Sequence, residues 1–375
     1  MKIKPEIVEL FKKYDAHATG VFSFEDKKFL SIFEKDLRAF EQWISENSHA
    51  GMKFLENNID VRKDPSFILE NSKTALIFLF PYSLGQRVRN RKINTQEIKI
   101  KNNSLIGKKL ISKYIYGKDY HKVLRKNLEK IAQELQKHFK KKFAFRPVID
   151  SIPFFDRAHA REAHLGFVGK NTMLIRPGMG SFFFIATLLI DLSYSEIVEK
   201  KLKNKLSPIA SLDCGDCQKC LDACPTNALI KPYYLDANKC ISYLTIEHRE
   251  IVPKKYLSHF AKTIYGCDIC QDVCPYNLVT NDFGILKDFS DFNKNFLNLT
   301  IHNIALMTPL EYEKWFGGTA ATRAKYQGLI RNALYHLYAV KDENIKCILS
   351  HHENSDFNLI SETVKQIRNF LNETL

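Results

Sequence analysis

Residues 214 to 229 read CGDCQKCLDACPTNAL, four cysteines at gaps of two, two and three residues with Pro225 directly after the last. No other stretch restricts the chain so strongly. Thiolates at these gaps on a short loop converge on one point, which is what an iron–sulfur cluster requires of its protein. A second stretch, GCDICQDVCPYN (266 to 277), repeats most of the pattern and also ends Cys-Pro. Two clusters on one chain imply an electron wire. The two runs occupy a small part of the 375 residues, so the rest of the fold must supply what stands at the end of that wire.

In two-cluster ferredoxin folds the cysteine beside the proline ligates the neighbouring cluster. On that rule one 4Fe–4S cluster takes Cys214, Cys217, Cys220 and Cys274, and the other takes Cys267, Cys270, Cys224 and Cys240. Cys240 lies 27 positions before Cys267, so the insertion ISYLTIEHREIVPKKYLSHFAKTIYG separates ligands that would ordinarily be neighbours. It is expected to fold over the second cluster and to reach the electron acceptor. Zinc also binds Cys-x2-Cys pairs, but two overlapping runs with Cys-Pro ends favour iron–sulfur. In a reducing compartment nine cysteines are not a disulfide framework. Eight of them fall between 214 and 274, and the ninth, Cys347 in NIKCILS, reads as core.

The remainder reads as α+β. Hydrophobic residues at 45% and charged residues at 26% suit an ordinary soluble globular protein, and no apolar run reaches the roughly 18 residues of a membrane span. The opening MKIKPEIVELFKKYDAHATG carries charges among its apolar positions, without a twin-arginine or cleavable leader pattern. The expected location is therefore cytoplasmic, with no membrane partner. In residues 1–205, TALIFLF (74–80), FAFRPVI (143–149) and SFFFIATLLI (181–190) have strand length and composition. Between them, KDYHKVLRKNLEKIAQELQKHF sets Val123, Leu124, Leu128, Ile131, Leu135 and Phe139 at helical spacing with lysines opposite. Lys201 to Lys205 is a charged linker, and residues 206–290 hold the cysteines with little regular structure. In 291–375, Thr308-Pro309-Leu310-Glu311 is a capping-box helix start, followed by the amphipathic stretches TRAKYQGLIRNALYHLYAV and FNLISETVKQIRNFL.

The net charge of +14 is unevenly placed: between Gln86 and Lys142 stand 18 Lys and Arg against four Asp and Glu, which accounts for the whole excess. Such a segment suits a polyanion, nucleic acid first, although a solvated lysine-rich helix face explains it equally well. The densest stretch of the first 205 residues is DSIPFFDRAHAREAHLGFVGKNTMLIRPGMGS (150 to 181). Its Gly166, Gly169, Gly178 and Gly180 permit close backbone approach to a large ligand, or tight turns. GFVGKN is not a phosphate loop, because His164 stands where a glycine is needed and Asn171 replaces the magnesium-holding Ser or Thr. His121, His159, His164 and His248 show no metal-ligand spacing and read as surface or hydrogen-bonded side chains.

Several stretches, taken together and in order, resemble the epoxyqueuosine reductase family. They are ISKYIYGKDYHKVLRKNL (111–128), VID with DRAHAREAHLGFVGKNTMLI (148–175), the cysteine module, CISYLTIE (240–247) and GTAATRAKYQGLIRNAL (318–334). The resemblance implies an α+β fold in three parts: a nitroreductase-like cobalamin-binding domain (1–205), a ferredoxin-like two-cluster domain (206–290) and an α-helical HEAT-like domain (291–375). It implies reduction of the epoxide of epoxyqueuosine to an alkene, with loss of water, at the wobble position of tRNA. Clusters would feed electrons to cobalamin, an external low-potential ferredoxin or flavodoxin would load the clusters, and the basic segment would face the tRNA. The chain is expected to act as a monomer.

The same resemblance carries residue roles. An epoxide oxygen leaves poorly unless an acid protonates it, and Asp150 matches the family's proton donor, in a place where burial against the corrin would raise its pKa. The reading from residues alone is that Asp150 caps the next turn. Related sequences commonly read Asp-Thr-Gly-Pro, whereas this chain has Asp150-Ser151-Ile152-Pro153. Corrin contacts are implied for Leu174 and Ile185, for Arg157, Lys170 and Asn171 toward its amide or phosphate groups, for Arg62, and for Ser242 and Asp268. The rival readings are a corrinoid reductive dehalogenase, which usually carries a twin-arginine leader and lacks a basic helical tail, and a simple two-cluster electron carrier.

Overall fold

The computed structural model describes residues 3–25, 29–82, 104–105, 108–199, 212–278, 286 and 299–373. Its organising element is a four-stranded antiparallel sheet of β1 (Ala18–Ser23), β2 (Thr74–Pro81), β3 (Phe145–Ile149) and β4 (Phe183–Ile190), in the order β1-β2-β4-β3. The two central strands are nearly continuous apolar runs because both faces of the sheet are covered. On one face Leu76, Phe78, Phe80, Leu188 and Ile190 pack against Leu124, Leu128, Ile131 and Leu135 of helix α1 (Tyr120–Phe139). On the other, Ile77, Leu79 and Leu189 meet Ala158 and Ala160 of helix α2 (Asp156–Glu162), with Leu174 beside them. Three expected strands and the long helix are therefore present, and β1 is an addition.

Helix α1 starts where the Asp119 carboxylate accepts the His121 backbone N–H at 3.0 Å and ends at Lys140, whose φ of 50° is left-handed. Its outer face exposes Lys122, Arg125, Lys126, Lys130 and Lys137. Residues 86–103 of the basic segment and the linker Lys201 to Lys205 lie outside the described residues.

The insertion between Cys240 and Cys267 joins the tail. Helix α3 (Ile241–Ile246) and the 3-10 turn Lys254–Ala261 share one core with α4 (Pro309–Phe316), α5 (Lys325–Ala339) and α6 (Asn358–Asn372). The join is polar as well as apolar. Arg331 on α5 is fully buried and donates to the carbonyls of Leu244, His248 and Glu250 at 2.7 to 2.8 Å. Burial pushes its guanidinium down to about 10, so it stays charged at neutral pH. Asn332 donates to Thr245 and Ile264 carbonyls at 2.7 and 2.8 Å. Helix α4 has the capping box expected of Thr308 and Glu311. Cys347 corrects the expectation of a core thiol: its helix buries Ile345, Ile348 and Leu349, and the cysteine is exposed on the opposite side. Among the described residues no helix is long and apolar enough to cross a membrane.

Candidate functional site

Short helices follow the cysteine loops at Lys219–Asp222 and Ile269–Asp272. Cys214, Cys217, Cys220 and Cys274 line one cavity with Lys170 and Asn171. Cys224, Cys240, Cys267 and Cys270 form a second group whose charges act on one another, and Cys220 acts on Cys270 across the two groups. Backbone N–H groups of Lys170 and Ala228 approach the sulfurs of Cys214 and Cys224 at 3.4 and 3.2 Å. Burial pushes the Cys267 thiol up to about 12 and Cys270 well above its usual value. Thiolates so buried need an adjacent cation, which the iron of a cluster supplies.

The cysteine module is fastened to the sheet by side chains spread along 113–181. Lys170 Nζ donates to the Gly215 carbonyl at 2.6 Å, and Asn171 Nδ2 to the Cys270 carbonyl at 3.2 Å. Lys113 reaches Asp268 at 3.3 Å and Asp272 at 2.6 Å, with its ammonium 4.3 Å above the Phe182 ring. Polar atoms of Lys170, Asn171 and Asp268 are thus engaged at this join. Asn277 accepts the Ser181 N–H at 2.7 Å and donates to Ser181 Oγ at 2.9 Å. That approach requires Gly180: its φ is +78°, and a Cβ there would collide with Asn277 Oδ1. Gly166 and Gly169 likewise pack against Ile175. These three glycines admit protein neighbours at close range.

At the C-terminal end of β3, Asp150 presents a side chain that is 54% exposed. Its Oδ1 lies 2.5 Å from His121 Nε2, and its Oδ2 accepts the Tyr120 hydroxyl. His121 Nδ1 is in turn 2.9 Å from Asp119 Oδ1. Burial opposes a charge on this imidazole, but the hydrogen bonds and charges of Asp119 and Asp150 prevail and raise it to about 9. Burial alone would push Asp119 up, yet His121 holds it below the usual carboxylate range. Burial and the Asp150 charge both raise Tyr120, so its hydroxyl remains a donor. The result is a chain of groups, Asp119–His121–Asp150, flanked by a phenol that stacks 4.2 Å from Phe184. The carboxylate of Asp150 therefore bonds across the fold to side chains of α1. Residue 152 does not have a positive φ, so Ile152 stands in the turn after Asp150 without backbone strain.

Asp156, which feels the Asp150 charge, and Arg62, whose charge acts on Asp156, each keep a polar atom without a hydrogen-bond partner among the described residues. These atoms, Asp156 Oδ1 at the start of α2 and Arg62 Nε, are both buried. Burial first, and the Asp150 charge second, push the Asp156 carboxyl up to about 8. The Arg62 guanidinium lies 5.1 Å over the Phe40 ring, and Arg157 donates to the Thr172 carbonyl. One unpaired donor and one unpaired acceptor suit a ligand rich in amides, as a corrin is. Leu174 is 2% exposed inside the apolar core, with Ile185 half-buried beside it. Ser242, half-buried, lies in the first turn of α3.

A two-cluster ferredoxin-like module docked on an α/β sheet that presents a hydrogen-bonded carboxylate defines an iron–sulfur oxidoreductase. The family model for epoxyqueuosine reductase QueG matches residues 62–151, from Arg62 to one residue past Asp150, and the 4Fe-4S double cluster binding domain matches 213–277. The chain belongs to the epoxyqueuosine reductase family. It is 34% identical to an epoxyqueuosine reductase of Leadbetterella byssophila, over 84% of this chain and 93% of that protein. The epoxyqueuosine reductase structure from Streptococcus thermophilus matches with a TM-score of 0.76 at 27% identity, covering 98% of this chain and 90% of that one. An epoxyqueuosine reductase crystallised with an epoxyqueuosine-modified tRNA-Tyr stem loop has the same fold, with a TM-score of 0.77 at 23% identity over 96% of this chain and 88% of its own.

Proposed function

We propose that this chain reduces epoxyqueuosine to queuosine at the wobble position of tRNA, the epoxide taking up two electrons and two protons to leave an alkene and water. Family membership supports the substrate, and the hydrogen-bonded carboxylate of Asp150 carries the chemistry. Two carbon–oxygen bonds must break, and the oxygen needs a proton at each break. Asp150 delivers a proton to the epoxide oxygen at each break. His121, 2.5 Å from it, hands each of those protons to the carboxylate and takes the next from solvent, while Asp119 stabilises the imidazolium and fixes the ring. Tyr120 holds the other Asp150 oxygen and sets its aim. The clusters, held by the eight cysteines in the sets given above, supply single electrons taken from a low-potential ferredoxin or flavodoxin. Cobalamin, when bound, supplies the exchange point between those single electrons and a two-electron reduction. Arg62, Arg157, Ile185 and Ser242 would border the corrin, with Leu174 in the apolar core behind them and Lys170, Asn171 and Asp268 where it meets the cluster module. The working division is a nitroreductase-like part (1–205), a ferredoxin-like part (206–290) and a HEAT-like tail (291–375), in a cytoplasmic monomer.

An electron carrier would leave the Asp119–His121–Asp150 chain without a task. The test is anaerobic turnover of epoxyqueuosine-containing tRNA by reconstituted protein. Asp150→Ala is expected to lower the rate by a factor of about 100 or more while iron–sulfur and corrinoid absorbance persist. Near-normal rates in that variant would remove the proposed donor.

A further inference from the structure

Phe54 lies outside every core. It sits on the short turn Lys53–Leu55 with half of its surface in solvent (50%). Arg323, from the tail turn Ala320–Ala324, lays its guanidinium over that ring at 5.1 Å and is itself 53% exposed. The pair is held rigidly from three sides. Glu247 accepts from Arg323 Nε at 2.6 Å, Arg249 donates to the Arg323 carbonyl at 2.9 Å, and the Tyr243 hydroxyl accepts the Gly51 N–H at 2.9 Å. A Cβ at Gly51 would stand 2.7 Å from that hydroxyl, so the turn bearing Phe54 is pressed closely against α3.

The loop that leads to Arg323 also touches the acid site. The Gly318 carbonyl, in the loop leading to Arg323, accepts the backbone N–H of Asp119 at 2.8 Å, and Asp119 is the residue that holds His121. The Tyr265 hydroxyl donates to the Ala320 carbonyl at 2.8 Å, fixing the same loop. Asp150 is among the charges that act on Arg323. A flat ring and a planar cation, preorganised and left in solvent beside a catalytic carboxyl, match the π-face of an unpaired base.

We infer that Phe54 and Arg323 form a stacking shelf for an unpaired anticodon-loop base next to the wobble nucleotide, which fixes the position of the substrate over Asp150. The inference rests on the reading of tRNA as the substrate. Presenting the wobble base to Asp150 breaks its stacking with its neighbours, and the shelf replaces the lost contact for one of them. Any base has a π-face, so the shelf tolerates sequence while setting register.

The test is the affinity of full-length reconstituted protein for an unmodified anticodon stem loop, read by fluorescence anisotropy at fixed salt. Phe54→Ala and Phe54→Leu are expected to bind about tenfold more weakly, and Phe54→Trp to bind at least as well as the native protein. The salt slope should not change, because no phosphate contact is lost. Iron and corrinoid absorbance, measured on each variant, reports whether the fold is intact. Binding by Phe54→Ala within twofold of the native protein overturns the shelf, as does Phe54→Leu binding as tightly as Phe54→Trp, which would make the residue a simple apolar cover. A native protein that binds the stem loop yet reduces no epoxyqueuosine would defeat the functional reading while leaving the shelf to be judged by the binding data.

Discussion

His121 is hydrogen-bonded between Asp119 and Asp150. Its imidazole is raised to about 9 between two carboxylates, against about 6.5 in an unfolded chain. A group with a raised folded pKa contributes stability that is complete below about 6.5 and disappears as pH climbs through about 9. The melting-temperature advantage of the native protein over His121→Gln should therefore shrink across that window, modestly, because the side chain is a third exposed. Turnover should likewise fall on an alkaline limb near pH 9 in the native enzyme, and His121→Gln should lose that limb together with most of its rate. Superimposable pH profiles for the two proteins would dismiss His121 as the proton source. Asp150 was legible from its place after a strand and from the family pattern. Its partners were not, since Tyr120 and His121 lie 30 and 29 residues earlier and only sheet closure brings the start of α1 to the end of β3. Phe54 and Arg323 were hidden for the same reason, at far greater separation.

Elements divided by how much of their signal was local. Strands β2 and β4 stood out as apolar runs, and α1 as a two-faced helix, because burial alone dictates those patterns. Strand β1, ATGVFS, has only three buried positions and a glycine at residue 20 where a Cβ would come within 2.7 Å of Ala163, so its identity depends on β2 and α2 already being in place. The insertion was legible as an insertion, but its destination was set by Arg331 and Asn332 some 80 residues later, a polar join with no periodicity. Replacing Arg331 by Met leaves the carbonyls of Leu244, His248 and Glu250 buried without a donor, at a cost of about 3 kcal/mol or more. Because Leu244 and His248 follow Cys240 closely in the chain, Arg331→Met should lower the melting temperature and lose iron from the second cysteine group before the first. Full iron content with an unchanged melting curve would show that the tail does not hold that loop.

At the scale of the whole molecule the charge pattern was visible but its use was not. The outer face of α1 presents solvent-exposed lysine and arginine, as a solvated face or a polyanion contact would, whereas Lys113 of the same basic segment is buried against Asp268 and Asp272. A division into three parts was what the resemblance implied, whereas the join between the cysteine module and the sheet depends on single atoms. Gly180 is the sharpest case. Its φ of +78° and the absence of a side chain allow Asn277 to close on Ser181, fixing the cluster module against the sheet that carries Asp150. Gly180→Ala forces the two apart without touching a cysteine or the acid site. Electron transfer weakens steeply with each added ångström, and misplacement by about 1 Å can cost two orders of magnitude in a positioned reaction. The variant should therefore keep near-native iron, titrate normally with a chemical reductant, and turn over tRNA at least about tenfold more slowly. If Gly180→Ala matched the native rate with its clusters intact, the join could not be what sets the distance that electrons travel.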